Sequence, residues 1–319
     1  MTEGVLAVKP FQDIFYYSCY DNPIISLIYS VRGDILPVLQ NDIFYYGEQE
    51  LLSVKRKSKK DVFQLLREEG FSIKKVDVIP DLINVIKEHQ EKNSFLFAPV
   101  DACYISAIEE FYSKAHHNNY MLILSEYNGN ITYINTIGVD TAVRTCDSKE
   151  VQLGYQSEYN TDKEIVLISY EKKESDSSVF SSRENFLNNY RENQRFIIQG
   201  INRVEEFLYY IEEKLYAPER WEEFYNNNEF FFQTLLPFRM VNRIASQYYQ
   251  HCKVFQDCPS VVNIRKMVLE EWNVIRAILH KYNLNLSYEK KSRSRLLEAV
   301  QKVCVLEKEY ILTMEWSYL

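Results

Sequence analysis

Glycine and proline are scarce, eight of each in 319 residues, so chain breakers are few and long helices are favoured. The six cysteines, Cys19, Cys103, Cys146, Cys252, Cys258 and Cys304, include no C-x-x-C pair. Neither a disulfide framework nor a zinc site is therefore indicated, and no motif calls for a metal or cofactor. No stretch approaches the roughly eighteen uninterrupted apolar residues of a membrane span, and the N-terminus lacks the features of a secretory signal. The expectation is a cytoplasmic protein with reduced thiols and no membrane partner. A net charge of −8 argues against nonspecific nucleic-acid binding, which depends on neutralising phosphates. Internal repeats, a Gly-rich phosphate loop and a nucleophile elbow are also missing.

What is abundant is aromatic: 25 Tyr and 18 Phe in a chain that is 46% hydrophobic. This length and composition suit two domains. The first half alternates strand-like and helical runs. Asn22-Pro23 is an N-cap and first helical position for a helix ending at Gly33. Ile43 to Gly47 and Leu51 to Val54 look like strands, and Ser58 caps a short helix through Leu66. Phe71 to Val78 alternates like a strand, Asp81 opens a helix through Glu88, and Phe95 to Val100 is a short apolar strand. Tyr120 to Leu124 and Ile131 to Ile134 flank Asn128-Gly129-Asn130, a hairpin signal, because Asn-Gly supplies the positive φ of a tight turn. Lys163 to Tyr170 adds a strand.

The polar, aperiodic stretch Glu171 to Ser182 reads as a linker. Beyond it the pattern is helical. Ile201, Val204, Leu208, Ile211 and Leu215 share a face, as do Val261, Ile264, Val268, Trp272, Ile275 and Ile278, then Leu296, Val300, Val303 and Leu306. Pro218 and Pro259 open helical runs and Pro237 interrupts one, giving four or five helices in a bundle. The domains expected are residues 1–172, α+β, and 183–319, all-α, joined by 173–182.

Cys19, at the mouth of the Asn22 helix, is the candidate nucleophile, since a helix N-terminus favours the reactive thiolate. The alternative is a buried structural thiol. The run Lys55-Arg56-Lys57-Ser58-Lys59-Lys60 is either a solvated helix entry or a docking site for an acidic partner.

Three elements carry a resemblance: Tyr16-Tyr17-Ser18-Cys19-Tyr20-Asp21-Asn22-Pro23, Phe97-Ala98-Pro99-Val100-Asp101-Ala102-Cys103-Tyr104, and Lys114-Ala115-His116-His117-Asn118-Asn119-Tyr120-Met121-Leu122-Ile123. Over residues 8 to 140 the chain resembles the family named for the N-terminal domain of butirosin biosynthesis protein H. The resemblance implies a papain-like cysteine-protease fold and membership of antibiotic or nonribosomal-peptide pathways. It also implies an acyltransferase that moves an acyl group from an acyl carrier protein or peptidyl carrier domain, through Cys19, to an amine acceptor. Cys19 matches the family's nucleophile, and His116 the first of two histidines spaced three apart. The second, the base, falls on Asn119, while Asn135 matches the residue that orients it. Tyr20, Asp101 and Tyr104 become candidate substrate contacts, and Lys55, Arg56, Lys57, Lys59 and Lys60 a docking face for the carrier.

Asn119 cannot take a proton from a thiol, and a positioned base contributes on the order of 100- to 10,000-fold. His116 or His117 could take over that role. Alternatively they form a solvated loop pair, and Asp101 caps the helix after it. A member without its base would survive as a noncatalytic scaffold that binds the carrier or a pathway enzyme, with the helical half serving homodimerisation.

Overall fold

The computed structural model describes residues 6–12, 18–47, 52–77, 79–89, 93–138, 140–171, 183–214, 259–285 and 290–316. The expected linker 173–182, Tyr16, Tyr17, Leu215, Cys252, Cys258, Pro218, Pro237 and all of Trp221 to Phe255 lie outside them. The chain is α+β and divides into two compact units: Met1–Val38 with Lys60–Ser177, and Leu39–Lys59 with Ser178–Leu319. The sequence expectation kept residues 39–59 in the first domain. No described helix is long and apolar enough to cross a membrane.

The first unit is built on six antiparallel strands in the order β3-β8-β4-β5-β6-β7. They are β3 (Phe71–Val76), β4 (Ser94–Asp101), β5 (Asn118–Tyr127), β6 (Asn130–Ile137), β7 (Asp140–Asp147) and β8 (Ile165–Tyr170). The β5–β6 turn is the one expected from the sequence: Asn128 has φ 50° and Gly129 φ 80°, the two positive values a tight hairpin turn requires. Helices α4 (Leu82–Glu88) and α5 (Ser148–Gln156) cover one face, where Leu96, Ala98, Val100, Met121, Ile123 and Tyr133 meet Leu82, Ile86, Val151 and Tyr155.

On the opposite face lie α1 (Asp21–Arg32) and α3 (Val62–Glu68). There Tyr20, just before α1, and Phe63 of α3 pack their rings against Phe97 and, for Tyr20, Tyr120. Asp61, not Ser58, caps α3, in a reciprocal capping box with Gln64. Helix α1 also begins earlier than its sequence suggests. Ser18 Oγ accepts from the Asp21 N–H at 3.2 Å, and the Asn22 side chain, fully buried, donates to Thr141 Oγ1 of β7 at 3.0 Å. Asn22 is thus drawn inside to join α1 to the sheet, and Ser18 takes over the capping. Gly33, with φ 78°, ends the helix as expected.

The second unit combines a hairpin, β1 (Asp42–Gly47) and β2 (Ser53–Ser58), with helices α6 (Arg183–Lys214), α7 (Pro259–Asn285) and α8 (Lys290–Trp316). The short α2 (Leu36–Asn41) leads from one unit into the other. Among the described residues no strand follows Tyr170. The helical stripes are buried largely as their spacing requires, with Phe207 rather than Leu208 on the inner face of α6. Helix α6 lies so close to β1 that a Cβ on Gly200 would sit 2.7 Å from the Tyr46 carbonyl oxygen.

A buried polar network ties the hairpin to the helices. Tyr46 Oη donates to Glu307 Oε1 at 2.5 Å and accepts from Trp272 Nε1 at 3.0 Å. Arg265 Nη1 reaches both Glu307 oxygens at 2.9 Å, with its guanidinium 3.8 Å from the Tyr310 ring centroid.

Candidate functional site

Cys19 sits half-buried in the turn before α1, next to Tyr20 in the aromatic cluster. The thiolate expectation is reversed there. Burial pushes the thiol up from its ordinary value, the backbone N–H groups of Cys19 and Tyr20 pull it partly back, and the Asp21 carboxylate opposes them. The helix dipole is too weak to offset desolvation plus an adjacent negative charge. Among the described residues no imidazole hydrogen-bonds the sulfur.

The position of the base in the family that the chain resembles would set Asn119 opposite Cys19. Directly paired strand residues share a face, and Asn119 pairs with Val100 as Met121 pairs with Ala98. Val100, Ala98 and Met121 all belong to the core under α4 and α5. Asn119 therefore points away from α1, and its neighbour Tyr120 takes the α1 side, its ring 4.8 Å from that of Tyr20. Both polar atoms of the Asn119 amide are also engaged. Its Nδ2 donates to the Thr136 carbonyl at 3.1 Å, and its Oδ1 accepts from Asn135 Nδ2 at 3.1 Å. Asn135 Oδ1 in turn accepts from Arg144, which also pairs with Asp140. The two amides pair with each other as the resemblance implies, but on the far face of the sheet from α1.

Tyr120 donates to Asp162 at 3.1 Å, and burial together with that carboxylate pushes its phenol up to about 12.

Asp101, expected as a substrate contact or a cap, is engaged within the fold. At 0% exposure it ends β4, where its Oδ2 accepts from Ser157 Oγ at 2.7 Å and lies 2.7 Å from His116 Nδ1. Its Oδ1 accepts from the backbone N–H of Cys103 at 3.1 Å and of His117 at 3.2 Å. Burial raises the carboxyl, but these four bonds outweigh it and hold it below its ordinary value. Both sequence readings of Asp101 were thus incomplete, because it caps the 3-10 turn Ala102–Tyr104 and also orients a histidine.

His116 stacks on Tyr159 with ring centroids 3.7 Å apart, while Tyr104 stands 6.3 Å away at an angle. His117 instead lies flat on Phe111, and its carbonyl accepts from Ala102, so it serves the loop. Both histidines are exposed in the loop before β5, as the solvated-pair alternative has it, but their ring contacts differ. Ser157 and Tyr159 had no signal in sequence, since they reach Asp101 and His116 only through the fold of the segment after α5.

Lys55 to Ser58 of the basic run belong to strand β2, while Lys59 and Lys60 lead into α3, and its cations have partners within the fold. Arg56 pairs with Asp42 at 3.7 Å, Lys59 with Glu192 at 3.3 Å, and Lys60 with Glu68. Lys57 lies over the Phe196 ring at 4.4 Å, and the Lys55 stem runs beneath Gly47.

Among the described residues no group of three His, Cys, Asp or Glu side chains converges as a metal set. No family model matches the chain, and no curated protein matches it.

Proposed function

We propose that this is a papain-like protein of a specialised-metabolite or peptide pathway that binds an acyl carrier protein or peptidyl carrier domain without being acylated at Cys19. One observation carries this reading. The position that supplies the base in the family it resembles is an asparagine locked to Asn135 and Thr136, on the sheet face away from α1. With its thiol raised by burial and no imidazole bonded to it among the described residues, Cys19 has no described proton acceptor of the kind a nucleophile needs.

The test is intact-protein mass after incubation with a small acyl thioester, for wild type, Cys19→Ala and Asn119→His. None should gain the acyl mass, because a histidine at 119 faces the wrong side. Binding to a carrier protein, measured by calorimetry, should persist in all three. Rapid loading of wild type but not of Cys19→Ala would overturn the reading and favour the acyltransferase. That second reading has its own support: the backbone N–H groups of Cys19 and Tyr20 already favour the thiolate, and a thioester's leaving group needs less assistance than an amide's.

A further inference from the structure

We propose that Asp101 and His116 form a base site of their own, in which His116 Nε2 takes the proton from an amine or alcohol that attacks an acyl thioester directly, with no acyl-enzyme at Cys19. Asp101 is completely buried, and its carboxylate is fixed from three directions by Ser157 Oγ and the backbone N–H groups of Cys103 and His117. An ionised carboxylate only accepts, so the 2.7 Å contact to His116 requires the ring proton on Nδ1. The neutral imidazole then carries its bare lone pair on Nε2. That atom has no protein partner among the described residues, and the side chain is 38% exposed.

Tyr159, stacked at 3.7 Å, holds the ring plane. A cap for the 3-10 turn needs only the bond from the Cys103 N–H. A buried carboxylate that also fixes the tautomer of a half-exposed histidine is the arrangement of a base oriented by a third group. Asp101 is here a positioning residue, and His116 is the group that meets the ligand.

The step balances as follows. The neutral nucleophile's N–H or O–H proton passes to Nε2 as its nitrogen or oxygen bonds to the thioester carbon. The C–S bond breaks with its electron pair leaving on sulfur. The thiolate then takes the proton, and His116 returns to neutral with its imidazolium form paired to Asp101 in between. The thioester as electrophile rests on the function proposed above, whereas the assignment of His116 as a base does not.

Two measurements on the full chain separate these claims. The first is thiol release from an N-acetylcysteamine thioester with a primary alkylamine, or with an alkanol, as acceptor. Release should depend on one of the two acceptors, be equal in wild type and Cys19→Ala, and fall about 100-fold or more in His116→Gln. The second is the rate at which diethylpyrocarbonate modifies each histidine, read by peptide mass. His116 should react roughly 10-fold or more faster than the exposed His89, and Asp101→Asn should abolish the difference while His89 is unchanged. Release in His116→Gln equal to wild type, or a His116 modification rate no higher than that of His89, overturns the proposal. Fast modification of His116 with no thiol release in any protein would support the base and reject the thioester donor.

Discussion

Replacing Glu307 by alanine is the sharpest test of how the second unit is held together. The Glu307 carboxylate is 2% exposed and receives three hydrogen bonds, two from Arg265 and one from Tyr46. Arg265 is itself only 11% exposed, so solvent cannot replace what the substitution removes. Taking one partner from a buried ion pair costs about 3–5 kcal/mol, chiefly through the charge left behind. At a urea slope of about 2 kcal/mol per molar, a loss of about 4 kcal/mol moves the midpoint of this unit down by about 2 M. The Trp272 indole donates to Tyr46 Oη, so its fluorescence reports the network directly. Tyr46→Phe removes the bond to the charged carboxylate and the one accepted from Trp272, and should cost at least about 1.5–3 kcal/mol. The double variant should cost less than the sum of the two, since they share that bond. A loss below about 1 kcal/mol for Glu307→Ala, with an unchanged slope, would refute the reasoning and mean that the network is peripheral to stability.

Two further outcomes are expected. Gly200→Ala places a methyl 2.7 Å from the Tyr46 carbonyl and should cost about 1–3 kcal/mol by forcing α6 off the hairpin, readable in the same urea titration. Asp101 has a carboxyl held below its ordinary value by its hydrogen bonds against the pull of burial, so the unfolded chain binds that proton more tightly. Its contribution is therefore complete above about pH 4 and is lost as the pH falls through the folded value. The stability difference between wild type and Asp101→Asn should shrink accordingly from pH 6 to pH 3.

The elements that depend on local chemistry were legible in the sequence: the Asn128-Gly129 hairpin, the Gly33 stop, and the helical stripes ending in Val303 and Leu306. What escaped was set by contacts distant in the chain. Asn22 reads as a cap, but Thr141, 119 residues on, draws it inside. Strand β2 is a row of cations with little strand propensity, Lys55-Arg56-Lys57, held by pairing with β1 and by Asp42 and Phe196. Strand β7 alternates too weakly to be recognised, its inward positions including threonine and cysteine. At the site the residue types were found but not their grouping. His116 and Asp101 were both singled out, yet their mutual bond runs through a loop whose path only the fold determines. Asn119 was assigned to the wrong side because a period of two says which residues share a face, not which face meets α1.

The hairpin of residues 42–58 belongs to a unit whose other members begin at Ser178, and this sets an order of events on the ribosome. Ser58 leaves the ribosome 125 residues ahead of Arg183, where α6 begins (183 − 58). At roughly 5–20 residues per second that is about 6–25 s in which β1 and β2 have no helix to lie against. A two-stranded ribbon alone is at best marginally stable, so the hairpin waits as an excursion from the first unit until α6 emerges and Gly200 admits Tyr46. The helices depend on it in turn. A fragment starting at Ser178 would expose the side of α6 that β1 covers and leave Glu307 and Trp272 without the Tyr46 phenol, so the second unit cannot be separated from the first by one cut.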